Sequence, residues 1–504
     1  MSSFKTILAT TFFLLSTFFV FGQSSYIVVN EHDSALLREA RIIGRKNQAL
    51  TLENYPQNAE KIVQYLENHG YPFATVTLST EWVDDTVPQY VMHIERGRLT
   101  RIDSIVLKGN LKLSKSFLWP YLGLRRKAPY SEKTVQEVAR KLSELPFATV
   151  IQAPGISFEE DKTLLYIYLD KRTVNRFDGY IGFQPVSQLT GKLAINGELS
   201  LSLQNVFRLG EHLILDWRSS ERYSQFLNVN VEFPYLFRTR FGIDGHFRLD
   251  KQDTTYLTLN YQIGIPYHFR HDSYIRPYVD FTRSQMLNNT GGNATLDTSC
   301  MGHRNILYGL NLRVTQVDYL YNPTRGFDLI ANMAAGRRTL EPNRNIDENQ
   351  MPGLDLVKTS YRITGGITGY IPIYKQFVMM LRTQAGSMLQ GPHYRNEMFK
   401  IGGEGQLRGF SENELLASTY LLYTAEFRYL FGHNSDVHAF FDGGVYEQQG
   451  YSNYLFDTPF GFGVGVNVGV KSGVFYFEYA LPRQMGNKIS FKTGKIHFGV
   501  RVGF

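Results

Sequence analysis

The stretch IGGEGQLRGF (401–410) sets one arginine, Arg408, beside Gly409 and Phe410 inside a glycine-marked loop. A guanidinium is planar, always charged and carries five donors, so it clamps carboxylates or phosphates rather than transferring protons. These glycines are not a phosphate loop, because no Lys-Ser/Thr follows them. Cys300 and His303 stand three residues apart in NNTGGNATLDTSCMGHR (288–304), as a nucleophile and base could. Their setting in a long polar loop instead reads as a surface cysteine. The 12 histidines show no H-E-x-x-H spacing, so no metal site, no cofactor and no enzymatic activity are expected. The chemistry within reach is a fixed ion pair at Arg408.

The elements that position it begin with a leader. Lys5 precedes an apolar run over 7–21 and the small-residue junction Gly22-Gln23, which reads as a secretory signal peptide over 1–22. The single cysteine allows no disulfide within the chain and follows no lipidation pattern. Downstream no run of ~20 apolar residues occurs, and mean hydropathy is −0.24, so spanning helices are not expected. The net charge of +7 is mild for 504 residues. It suits anionic lipid headgroups and calls for no nucleic-acid partner.

Residues 24–175 carry a repeat. YPQNAEKIVQYLENHGYPFATV (55–76) and YSEKTVQEVARKLSELPFATV (130–150) both run an amphipathic helix pattern into an identical PFATV, starting at Pro72 and at Pro146. The two units are read as 24–97 and 98–175. In the second, RIDSIVLKGN is a strand, SKSFLWPYLGL a helix started by Ser114, and SEKTVQEVARKLSEL a helix capped by Ser131. FATVIQAPGISF and TLLYIYLDKR complete it as strands. This β-α-α-β-β order resembles the POTRA domain, a periplasmic module.

From 176 to 504 the helix period gives way to alternation. LNVNVEF sets Leu227, Val229, Val231 and Phe233 against Asn228, Asn230 and Glu232, and KIHFGVRVGF alternates to the last residue. These runs reach about ten residues, whereas the strands of soluble sandwiches average about five or six. About sixteen such strands are expected, joined by short turns such as PIYK and KSG on one side and long loops on the other. That asymmetry marks a transmembrane β-barrel with both ends in the periplasm. The expected fold is thus mainly β: an antiparallel barrel of about sixteen strands preceded by two α+β POTRA-like domains.

Within this frame LRGF (407–410) resembles the [VI]-R-G-[FY] signature of the outer-membrane assembly superfamily that includes BamA, TamA and the two-partner secretion transporters. FFDGG (440–444) resembles that family's F-x-D-x-G, giving Phe440, Asp442 and Gly444, and AEF (425–427) matches its inward-facing glutamate at Glu426. NPTRGF (322–327) resembles its P-x-R-G turn, and Phe504, with Val502 and Phe498, its C-terminal strand signal. Parity adds an independent reading. With Leu421, Tyr423, Ala425 and Phe427 facing lipid, Glu426 points inward, and Phe440 and Asp442 do so on the next strand. Arg408 is therefore expected to latch its loop to both carboxylates, with Gly409 allowing a tight backbone and Phe410 packing near Phe440.

The resemblance implies outer-membrane protein assembly. Polypeptide clients would dock on the periplasmic domains, and a lateral gate would open between the first and last barrel strands. The first strand, RFDGYIGFQP, is interrupted by Gly179 and Gly182. Expected partners are unfolded outer-membrane or secreted polypeptides, outer-membrane lipid and periplasmic or lipoprotein accessory subunits, in a Gram-negative outer membrane. A two-partner secretion transporter is the alternative, and a passive porin a more distant one. The chain departs from BamA-type and TamA-type relatives in carrying two POTRA-like units rather than five or three.

Overall fold

The computed structural model describes residues 27–29, 31–40, 50–83, 87–185, 193–219, 224–252, 255–270, 272–287, 299–319, 322–341, 355–403, 405–432, 434–451, 453–470 and 473–501. The signal-peptide expectation lies outside these residues, as do Val502 and Phe504. No helix among the described residues is long and apolar enough to cross a membrane.

The N-terminal elements are β1 (Ile27–Val29), α1 (Glu31–Glu39), α2 (Tyr55–Glu67), β2 (Thr75–Val83) and β3 (Val87–Glu95), with sheet order β1-β3-β2. Pro56 at the start of α2 has the preset φ that a helix N-terminus favours. Ile62 and Leu66, one turn apart, bury themselves with Leu36, Leu37, Ala74 and Met92. Next come β4 (Ser104–Lys108), α3 (Lys115–Leu122), α4 (Glu132–Ser143), β5 (Ala148–Phe158) and β6 (Thr163–Lys171), in the sheet order β4-β6-β5. The Ser114 hydroxyl caps α3 by accepting the Ser116 N–H at 3.1 Å, and Gly123 ends it at φ 75°. Both copies of PFATV enter a strand, β2 and β5, with Ala74 and Ala148 buried.

By packing, the chain divides into two compact units, one of Met1–Val106, Arg125–Val138 and Gly155–Leu165, the other of Leu107–Leu124, Ala139–Pro154 and Tyr166–Phe504. The division runs through the region read from sequence as a single domain over 98–175. α3 packs against the barrel. Phe117 stacks edge-on against Tyr235 of a barrel turn with centroids 5.7 Å apart, and the Ser114 N–H donates to the Arg208 carbonyl at 2.8 Å.

The barrel begins with β7 (Arg176–Pro185), β8 (Leu193–Gln204), β9 (His212–Ser219), β10 (Gln225–Phe233), β11 (Ile243–Gln252) and β12 (Tyr256–Gly264). It continues with β13 (Tyr267–Arg270), β14 (Ser273–Met286), β15 (Gly302–Val317), β16 (Gly326–Glu341), β17 (Val357–Tyr374) and β18 (Phe377–Leu389). A hairpin of β19 (Phe399–Ile401) and β20 (Leu415–Ala417) leaves the wall. The wall resumes with β21 (Thr419–Gly432), β22 (Ser435–Gln449), β23 (Tyr454–Asp457), β24 (Phe460–Val470), β25 (Gly473–Arg483) and β26 (Lys495–Arg501). The sheet closes, β26 lying beside β7. Eighteen strands take part, but β12 pairs directly with β14 and β22 with β24. Without the short β13 and β23, sixteen strands form the transmembrane wall.

Alternation sorts the wall's two faces. Leu421, Tyr423 and Phe427 of β21 are exposed on the outside, while Leu422, Thr424 and Glu426 are buried inside. Connections at one end shrink to 375–376, 433–434 and 471–472; at the other they reach 287–301, 342–356 and 390–418. The last of these carries Arg408.

Candidate functional site: the lumen loop

The loop over 390–418 makes its own small core. The β19–β20 hairpin brings Ile401 opposite Leu415, and Leu407, Phe410 and Ala417 join them against Leu422 and Tyr446 of the wall. Burying these side chains favours an ordered loop. The chain then runs close to β24 and β25. A Cβ at Gly461 would lie 2.1 Å from the Arg408 carbonyl oxygen, so only glycine leaves room for that backbone. Gly409 holds φ 96°, with Pro482 atoms 3.1–3.3 Å from where its Cβ would be.

Arg408, 3 % exposed, spends its donors on three strands. Its Nε and Nη2 form a fork on Asp442 at 2.7 and 2.9 Å, and its backbone N–H donates to the same carboxylate at 3.0 Å. Nη1 donates to Glu426 at 2.5 Å and lies 3.4 Å from Glu478. The guanidinium carbon sits 3.5 Å from the Phe440 ring centroid, a cation–π contact over a desolvated face. The structure thus brings together Arg408, Glu426, Phe440 and Asp442. Gly444, one turn of the pleat further along β22, packs its open face on Leu421 and Leu422. Phe410 departs from expectation: the face of Phe440 belongs to Arg408, and Phe410 packs into the loop's own core.

Sequence reading overlooked the rest of this network. Arg428 donates to the second oxygen of Glu426 at 2.6 Å. His438 lies between Asp436 at 2.9 Å and Glu478 at 3.2 Å, and Asn467 donates to both Asp436 oxygens at 3.0 Å. Parity was the available signal. Glu478 alternates with the exposed Phe475 and Phe477, just as His438 shares a face with Phe440 and Asp442.

A second anchor holds the loop's other side. Arg338 of β16 forms a buried fork with Glu397 at 2.7 and 2.6 Å, and the Tyr394 N–H completes that carboxylate's partners at 3.0 Å. Asn396 donates to Ser284 at 2.9 Å and to the Met301 carbonyl at 2.8 Å, and Lys400 to Asp250 at 2.6 Å. The loop therefore bridges the lumen from β21, β22 and β25 to β11, β14 and β16. Beside it a polar cavity of about 1090 Å³ opens along β8 to β12, lined among others by Arg218, Arg248, Lys251, Arg395 and Glu412.

Cys300 is buried, which corrects the expected surface position. The loop folds over it, and His303 turns its Nδ1 to the Met301 carbonyl at 3.2 Å. Among the described residues no group of three or more His, Cys, Asp or Glu side chains is arranged to hold a metal ion. Gly179 and Gly182 lie in β7 opposite Leu199 and Asn196, and Phe498 of β26 is exposed opposite Phe477.

No curated protein matches the chain in sequence. Among solved structures, CdiB from Escherichia coli is similar at 14 % identity and TM-score 0.56, over 95 % of this chain and 91 % of that one. CdiB from Acinetobacter baumannii is similar at 12 % identity and TM-score 0.53, over 92 % and 86 %. BamA from Haemophilus ducreyi lacking POTRA domains 1–3 aligns at 14 % identity and TM-score 0.48, over 94 % and 98 %. The two CdiB likenesses describe the fold. The model of the Omp85 superfamily domain matches residues 200–501, the span that holds Arg408 with Glu426, Asp442 and Glu478, and the chain belongs to the Omp85 superfamily.

Proposed function

We propose that this protein is an outer-membrane assembly factor, without enzymatic activity, that inserts β-barrel clients through the seam between β7 and β26. The observation that carries the reading is the loop clamped across the lumen between Arg408 and Arg338. A strapped lumen disfavours a passive porin and leaves the wall itself as the route for clients. At the seam β26 lies beside β7, which carries Gly179 and Gly182. A strand weakened by glycine opens at lower cost and then exposes unpaired backbone groups, a template for a client strand. The POTRA-like domains, in the periplasm, would receive unfolded polypeptides along their sheet edges, and lipoprotein or periplasmic subunits would assist them.

The polar cavity beside the loop favours a second reading, a two-partner-type transporter that threads a secreted polypeptide along β8 to β12. Depletion in the native cell followed by quantification of the outer-membrane proteome and the culture supernatant separates the two. Loss of many barrel proteins from the membrane supports assembly. Loss of one or two large secreted proteins with barrels intact supports secretion instead.

A further inference from the structure

Three successive connections at the short-turn end of the barrel carry the same dipeptide. Phe207-Arg208 joins β8 to β9, Phe237-Arg238 joins β10 to β11, and Phe269-Arg270 lies between β12 and β14. Tyr374-Lys375, between β17 and β18, repeats the aromatic–basic pair. The rings face outward: Phe207 is 59 % exposed, Phe237 88 %, Phe269 40 % and Tyr374 62 %. They continue the apolar belt of the wall, where Ile243, Ile263, Ile265 and Ile373 are also exposed.

The cations are equally uncommitted. Among the described residues Arg208, Arg238 and Arg270 meet no carboxylate within ion-pair reach. The acid of the first turn, Glu211, is buried and accepts the N–H groups of Phe207 and Leu209. The second turn, 234–242, contains Arg238 and Arg240 and no acid at all. Its backbone holds Phe237 and Arg238 at φ 53° and 62°, and Arg208 and Lys375 sit at φ 65° and 46°. Left-handed backbone is strained for a non-glycine residue, yet these turns place a large aromatic or basic side chain there.

We propose that the three Phe-Arg turns form an arc that binds anionic phospholipid in the leaflet at the short-turn end of the barrel. The rings enter the interfacial layer, as aromatic side chains do at membrane boundaries. The guanidinium groups meet the headgroup phosphates in charge-assisted hydrogen bonds. The arc covers one stretch of wall, β8 to β14, so lipid is held on the side of the barrel that leads away from β7. The inference requires the barrel to span a bilayer and is independent of which clients it handles.

The test uses the full-length protein, exchanged into mixed micelles with equal phosphatidylglycerol and phosphatidylcholine, and counts retained lipid by native mass spectrometry. Wild type should retain phosphatidylglycerol in preference to phosphatidylcholine, less so at high salt, with millimolar inorganic phosphate failing to displace it. The R208Q/R238Q/R270Q variant should lose about tenfold or more of that retention, while heat-modifiable gel mobility reports an intact barrel. If the triple variant does not fold, Arg238→Gln alone should show a smaller loss in the same direction. F207A/F237A/F269A should lower retention of both lipids. Equal retention of the two lipids by wild type, or equal phosphatidylglycerol on wild type and the folded glutamine variant, overturns the proposal and leaves the arc to a polypeptide partner. Displacement by inorganic phosphate would overturn it too, since a free anion would then satisfy the site.

Discussion

Arg408 illustrates why a buried ion pair is strong evidence for position and weak evidence for net stability. Removing its charge strands Asp442 inside the barrel, while Glu426 keeps Arg428, and breaking such a pair typically costs about 3–5 kcal/mol. Arg408→Ala should therefore lower the unfolding free energy by roughly that amount in a urea titration in lipid or detergent. Arg408→Lys should fall between the two, because lysine keeps a charge but loses both the fork on Asp442 and the flat contact with Phe440. Lysine equal to wild type would mean that charge alone matters. The close backbone approach makes a separate prediction. Gly461→Ala should push the Arg408 carbonyl aside and raise protease cleavage within 402–414, whereas Gly245→Ala, whose Cβ meets nothing within 4 Å, should not. At this scale the sequence made Arg408, Glu426 and Asp442 legible through a short motif and strand parity. Glu478 obeyed the same parity on a strand that carried no such motif, and His438 did so on β22 just outside the motif.

The loop is an element with two separate supports, one at Arg408 and one at the Arg338–Glu397 pair. If they hold a single strap, loosening one should weaken the other. Arg338→Ala should then cost less in an Arg408→Ala background than alone, with a coupling above about 0.5 kcal/mol in a double-mutant cycle. Strict additivity would mean that the loop's two halves are held separately. The turn after β15 offers a pH test away from the membrane-spanning strands. Burial pushes the Asp318 carboxyl up, but the Thr324 hydroxyl and the backbone N–H groups of Arg325 and Thr324 outweigh it and hold it below the ordinary aspartate value. A lowered carboxyl stabilises the turn above the unfolded-state value, about 3.9, and loses that contribution as pH falls through the folded one. Hydrogen exchange at Thr324 and Arg325, corrected for intrinsic rate, should accelerate on acidification in wild type and lose that dependence in Asp318→Asn. The strands and their sidedness were legible because alternation is local. The Arg338–Glu397 anchor was not, since it joins residues 59 apart through a fold that the loop's own core must first create. The burial of Cys300 was hidden for the same reason.

For the whole molecule, length, turn asymmetry and the repeat were enough to read a sixteen-stranded barrel behind α+β modules. The aromatic wedge of Phe117 and Tyr235 was not legible, because it couples α3 to a barrel turn far along the chain. In the proposed function β7 and β26 separate while the lumen loop stays clamped. The direct measurement is a disulfide between cysteines introduced in β7 and β26, in a background where Cys300 is replaced, with client assembly followed in cells under oxidising and reducing conditions. Locking the seam should abolish assembly and reduction should restore it, with barrel level and heat-modifiability unchanged. Full assembly with the seam verified as locked would contradict lateral opening and leave the cavity beside the loop as the route.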